Sequence, residues 1–169
     1  MRNGEGSMDY KAICNFVRRA NYGKKIMVFP GYDIIDSLLT LDECKEKFED
    51  DEEWCATVPL LDKEDGTVIS FIILIGKKFY QTYKNKEDML KFVLLHEVGH
   101  VNTYNENVFD FEEDEIMWEL DAQLWAIKRA EEMGLKHVKK KAIKNLETWD
   151  TMDDPYKSAK EIYDSWQHK

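Results

Sequence analysis

Cysteine is scarce in this 169-residue chain: Cys14, Cys44 and Cys55 are an odd number at wide spacings, with no Cys-x-x-Cys pair. That argues against a disulfide framework and against a thiolate zinc site, and it points to a cytoplasmic protein with structural thiols. Long apolar runs are missing too. No segment approaches the ~20 residues needed to span a bilayer, so no membrane partner is expected. The polar stretch Met1-Arg2-Asn3-Gly4-Glu5-Gly6-Ser7 is followed by no apolar h-region, so residues 1–7 read as a flexible lead rather than a secretory signal. Basic charge is outweighed, with 24 Lys and Arg against 34 Asp and Glu, a net charge of −10 that disfavours a phosphate-binding surface. No nucleic-acid partner is expected. The one basic cluster, Lys136, Lys139, Lys140, Lys141 and Lys144, spreads around a helix and reads as solvated surface. Neither a helix-turn-helix segment nor a pro-segment is recognisable.

What is present suits one α+β domain spanning residues 1–169, since the length supports one sizeable core and not two comfortable ones. Ala12, Ile13, Phe16, Val17 and Ala20 have helical spacing over 9–20, stopped by Asn21-Tyr22-Gly23. Residues 25–29 are β-like and end at Pro30-Gly31, and 33–47 have room for one or two short helices before the acidic, solvated run 49–53. Two β-branched segments, 54–61 and 68–76, flank an Asp65-Gly66 turn signal and predict a hairpin. Its second strand is apolar on both faces and belongs inside a sheet or under helices.

The most informative stretch is Lys91-Phe92-Val93-Leu94-Leu95-His96-Glu97-Val98-Gly99-His100-Val101. It carries a His-Glu-x-x-His motif on a helix expected to start after Asn85 as N-cap, with Glu87 and Asp88 in its first turn, and to run to about Val101. Its apolar positions Met89, Phe92, Val93 and Leu95 would hold it to the core. One helical turn separates His96 from His100, so both imidazoles can reach one metal ion, with Glu97 beside them where a general base must stand. Gly99 costs such a helix roughly 1 kcal/mol, which implies close approach of another backbone or of a substrate. A catalytic zinc needs a third protein ligand, and a second helix over 114–126, ending at Met133-Gly134, offers Glu119 and Asp121. Helices over 135–149 and 156–166 follow, the last with Asp154 before Pro155 at its first position.

These motifs resemble the gluzincin branch of the zinc metallopeptidases. The run into His96-Glu97-Val98-Gly99-His100, with Glu119-Leu120-Asp121-Ala122-Gln123-Leu124-Trp125-Ala126 after it, is most similar to the ImmA/IrrE-type peptidases. The resemblance covers residues 68–133 as the catalytic core and leaves 135–169 as a C-terminal helical extension. It implies a zincin-like fold, with a small antiparallel or mixed sheet packed on the motif helix and the glutamate helix and further helices at both termini. It also implies one Zn2+ per chain held by His96, His100 and Glu119, with Asp121 as a neighbour. A protein or peptide substrate follows, of the repressor type. Where such enzymes often carry Asp or Asn four residues after the ligand Glu, this chain has Gln123, which can hydrogen-bond a ligand histidine without adding charge. Glu97 is the expected catalytic base of peptide hydrolysis. Tyr104 and His137 are candidates for stabilising the oxyanion, and the loop 102–111 with Tyr104, Phe109 and Phe111 is placed to roof the site. The strand ahead of the motif helix would border the cleft and pair with an extended substrate. The alternative is a non-catalytic zinc-binding regulatory or interaction protein on the same fold. Oligomeric state is not legible in the sequence.

Overall fold

A computed structural model describes residues 6–32, 55–104 and 114–169. The described chain is α+β, with six helices and one small mixed sheet. The elements are α1 (Tyr10–Ala20), β1 (Ile26–Tyr32), β2 (Cys55–Leu61), β3 (Val68–Gly76), α2 (Lys77–Tyr83), α3 (Glu87–Thr103), α4 (Glu115–Glu132), α5 (Lys136–Glu147), a 3-10 turn (Trp149–Thr151) and α6 (Tyr156–Gln167). The expected helices within 33–47, the acidic run 49–53 and the aromatics Phe109 and Phe111 lie outside the described residues, as does most of the 1–7 lead. No described helix is long and apolar enough to cross a membrane.

The sheet order is β1-β3-β2, with β1 parallel and β2 antiparallel to β3. β3 takes the centre because every residue from Ser70 to Ile75 is buried, as its run of apolar side chains requires. The β2–β3 hairpin closes through Asp62 N–H to the Thr67 carbonyl (2.7 Å). Gly66 is at φ +72°, which favours glycine, while the Asp65 carboxylate accepts from the Thr67 amide and hydroxyl, bonds that hold its pKa below the usual value. β1 does not stop at Pro30-Gly31 as expected. It runs to Tyr32 with an irregular register between Pro30 and Tyr32, which is possible because β1 is an edge of the described sheet and proline is tolerated there.

Asp9 caps α1 by accepting from the Ala12 amide (2.8 Å), and Ile13, Phe16, Val17 and Ala20 are buried as their spacing predicts. Arg129 of α4 reaches the C-terminal end of α1, donating to the carbonyls of Ala20 (2.8 Å) and Arg19 (2.9 Å), which lack helical partners of their own. Helix α2 was not expected from the sequence, whose local pattern there has no clear period; Phe79 is its buried anchor. The cap of α3 is Lys86 rather than Asn85 and makes no side-chain bond, so Glu87 and Asp88 in the first turn supply the favourable charge instead. Every residue of α3 from Leu94 to Val101 is buried, the mark of a central helix rather than a surface one.

α4 lies along α3 and presents fully buried Leu120, Ala122 and Gln123 with Ala126 and Ala130. A Cβ added to Gly99 would come within 2.6 Å of the Ala122 carbonyl oxygen, so the glycine is explained by the backbone of α4. α4 ends at Met133-Gly134 with Gly134 at φ +71°, as expected. Beyond it, Leu146, Trp149 and Ala159 form a second core with Leu120, packing α5, the 3-10 turn and α6 against α4. Pro155 stands one position before α6 rather than in its first turn, and it is Asp154 that satisfies the helix start, accepting from the amide (3.0 Å) and hydroxyl (2.7 Å) of Ser158.

Candidate metal centre

The motif helix and the glutamate helix deliver three side chains to one point. His96 and His100 meet edge to face, with ring centroids 4.7 Å apart. The Glu119 carboxylate spans both, with Oε2 3.0 Å from His96 Nε2 and Oε1 3.3 Å from His100 Nε2. Glu97 belongs to the same cluster, since His96, Glu97 and His100 offer ligand atoms within 4.8 Å of one another. All four side chains are largely withdrawn from solvent.

The protonation pattern shows what this cluster needs. Gln123 is fully buried and donates its amide nitrogen to the Ala142 carbonyl (2.8 Å), leaving Oε1 to face His96 Nδ1 at 2.7 Å. His96 must therefore carry its hydrogen on Nδ1. A lone pair on Nε2 would then point at a carboxylate oxygen only 3.0 Å away, an arrangement that is stable only with a cation between them. In the absence of metal that cation is a proton. Burial opposes charge on His96, but hydrogen bonding and attraction from Glu119, with the charge of Glu97 and the bond to Gln123, lift its pKa to about 9. For Glu119 burial likewise favours the neutral acid and is outweighed by hydrogen bonds from His100 and His96, so its carboxyl is held well below the usual range. A divalent ion suits the same position: tetrahedral zinc with bonds of about 2.0–2.1 Å separates its ligand atoms by about 3.3 Å, close to the two N···O distances here.

Glu97 is positioned differently. Its Oε2 accepts from the Thr57 hydroxyl (2.6 Å) of β2, which also lies 3.1 Å from the Glu97 carbonyl. Burial raises its pKa, opposed by the His100 and His96 charges and by the Thr57 bond. The second carboxylate oxygen is left for another partner. Cys55, on the same strand, is a half-buried thiol whose pKa is pushed up by loss of solvent and by the Glu97 charge, so it stays neutral.

These groups line a cavity of about 460 Å³. Its floor is one stripe of α3, Met89, Phe92, Val93, His96, Glu97 and His100, which follows from i, i+3 and i+4 spacing. Phe79 of α2 and Cys55 of β2 also line it, as do Glu115 and Trp118 of α4 and, from the C-terminal elements, Asn145, Trp149 and Tyr156. Trp118 donates its indole N–H to the His100 carbonyl (3.0 Å) and packs on the His100 ring at 4.3 Å. His100 Nδ1 is buried and has no hydrogen-bond partner among the described residues.

Several expected site residues are not brought to the cavity. Asp121 is exposed on α4: two residues from Glu119 is about 200° around a helix, so it cannot share the face that Glu119 and Gln123 share. His137 is exposed in the first turn of α5. Tyr104 ends α3 and packs edge-on against Phe71 (5.5 Å) and Trp118 (6.1 Å), outside the cavity lining. Conversely, Thr57, Asn145, Trp149 and Tyr156 were not picked out by sequence reasoning. Tyr156 packs edge-on against Trp149 at 5.1 Å, and its hydroxyl makes no hydrogen bond among the described residues. Burial and the charges of Glu119, Glu97 and Glu115 raise its pKa well above that of free tyrosine, so it is a hydrogen-bond donor. No spacing rule connects it to the motif.

Against known proteins, the chain matches no family model, no curated protein and no solved structure.

Proposed function

We propose that this protein is a zinc-dependent peptidase of the gluzincin kind, similar to the ImmA/IrrE-type enzymes, acting on a protein or peptide inside the cell. The observation that carries the reading is the Glu119 carboxylate set across His96 Nε2 and His100 Nε2, with a buried Glu97 beside them in the same cavity. His96, His100 and Glu119 would hold the zinc ion, leaving the fourth position that a catalytic site needs. Bound there, zinc would supply Lewis acidity, polarising a carbonyl and easing the ionisation of water toward about pH 7. Glu97, oriented by the Thr57 hydroxyl, takes the proton from the attacking water and hands it to the departing amine. Tyr156 donates its hydroxyl hydrogen to the developing oxyanion, the part assigned from sequence to Tyr104 or His137.

The cavity also suggests how a substrate lies. β2 is an edge of the described sheet and borders the cavity through Cys55, Ala56 and Thr57, so an extended chain can run beside it. Such a chain would place a bulky apolar side chain over Met89, Phe92, Val93 and Phe79, about one to two helical turns from the metal ligands. Digestion of a defined peptide pool tests this, with new termini read by mass spectrometry. The expected result is zinc-dependent cleavage beside large apolar residues, stopped by chelator and restored by zinc. A zinc-loaded protein that cuts nothing above background would contradict the reading.

One observation favours a second reading. Glu97 is close enough to both histidines to serve as a fourth ligand, which would close the site and make the protein a zinc-binding regulatory or interaction module. The effect of Glu97 on zinc affinity separates the two.

A further inference from the structure

We infer that Asn145 and Trp149 are positioning residues for the metal centre, holding the Gln123 carboxamide in the one orientation that makes His96 a ligand through Nε2. This rests on the zinc reading above and extends it to the C-terminal helices, which lie outside the motif-bearing core.

The argument follows the hydrogens. The indole N–H of Trp149 can only donate, and Trp149 is almost fully buried, so the oxygen 2.9 Å from it on Asn145 must be the amide oxygen. The same Asn145 Oδ1 lies 3.4 Å from Gln123 Nε2, and the Ala142 carbonyl lies 2.8 Å from it. Two acceptors therefore face one end of the Gln123 amide, and both of its hydrogens are used. The other end, Oε1, is left for His96 Nδ1 at 2.7 Å. Turning the amide over would set Oε1 against two acceptor oxygens, and its NH2 group, donating to Nδ1, would leave the ring hydrogen on Nε2, where it blocks a metal. With Gln123 fully buried, no solvent offsets those losses.

Glutamine at position 123 is what makes this support necessary. A carboxylate accepts from a histidine whichever way it is turned, whereas an amide has a right and a wrong end. Ala142 and Asn145 both come from α5, and Trp149 from the turn that follows it, so the tautomer of His96 is set by a part of the chain about 50 residues away. The 3.4 Å contact is the longest in the series. Asn145 therefore acts as a second acceptor that removes the alternative orientation, and Trp149 keeps Asn145 itself from turning.

The test compares zinc dissociation constants, measured by chelator competition, for the parent and three variants. Asn145→Leu removes the acceptor from both Gln123 and Trp149, and the dissociation constant is expected to rise about tenfold, the low end for outer partners of metal ligands. Asn145→Asp keeps the acceptor oxygen that serves both Gln123 and Trp149 and is expected to bind zinc at least as tightly as the parent. Trp149→Phe, which removes only the donor that orients Asn145, should weaken zinc binding in the same direction by a smaller factor, and it stands in if Asn145→Leu does not fold. Unchanged zinc affinity in Asn145→Leu and Trp149→Phe, with only the metal-free melting temperature lowered, would overturn the inference while leaving the zinc reading intact. A parent that takes up no zinc would overturn both.

Discussion

Glu97→Gln is expected to cut the rate of peptide hydrolysis by about 10²- to 10⁴-fold, the usual worth of a positioned general base, while zinc stays bound. The amide keeps the shape of the side chain and can still accept from the Thr57 hydroxyl, so the cavity survives. What disappears is a group able to take a proton. The substitution also removes a buried negative charge beside His96 and His100, which attracts cations to the site. A small weakening of zinc binding is therefore compatible with Glu97 as a base. A weakening of about a hundredfold or more would identify Glu97 as a ligand, and the regulatory reading would replace the peptidase. Single-turnover cleavage and zinc competition on one preparation separate these outcomes.

Gly99→Ala is expected to destabilise the fold by about 2 kcal/mol net. Helix propensity alone favours alanine over glycine by about 1 kcal/mol, yet the new Cβ would lie 2.6 Å from the Ala122 carbonyl oxygen and 3.0 Å from its Cα. Neither atom is the end of a flexible side chain, so relief requires α3 and α4 to separate, and overpacking of this kind costs about 1–3 kcal/mol and occasionally more. Ala122 is one turn from Glu119, so the same movement draws the carboxylate away from both histidines. Thermal melting should fall by about 4–8 °C for a chain of this size, with zinc binding weakened in parallel. A variant that melts at or above the parent temperature would mean that α3 and α4 are not in backbone contact at Gly99.

The parts of the fold that could be read in advance are those whose cause is local. Asp9 before a helical apolar pattern, Asp65-Gly66 between two β-branched runs, and Gly134 after the last periodic residue of α4 each fix an element by its own chemistry. Gly99 likewise announced a close approach, although not whether of another backbone or of a substrate. What was not legible depends on neighbours. β1 runs through Pro30-Gly31 because it occupies an edge, and edge position is a property of the sheet. α2 has no period of its own and follows directly from β3, with Phe79 as its buried anchor.

The site divides in the same way. His96, Glu97 and His100 share a stripe set by helical spacing, and Gln123 falls about 40° around the helix from Glu119, so their common face could be reached from numbering alone. Spacing alone left Glu119 and Asp121 as alternatives and the resemblance named Glu119; the structure turns Glu119 toward both histidines and leaves Asp121 exposed. Thr57, Asn145, Trp149 and Tyr156 come from a strand, a helix, a turn and another helix that meet only in three dimensions. The side chains that the motif names are therefore the ones that meet at the proposed metal position, while those that orient them are spread along the chain.

The most direct test of the account is the metal content of protein purified without added metal and then reconstituted with zinc, beside His100→Ala and Glu119→Ala variants. The account predicts about one zinc per parent chain, lost in both variants. It also predicts a stabilisation of the parent by about 4 kcal/mol when zinc is supplied at a thousand times its dissociation constant. A parent chain that takes up no zinc and melts at the same temperature with and without it would contradict the central claim, leaving Glu119 as the hydrogen-bond partner of two histidines and nothing more.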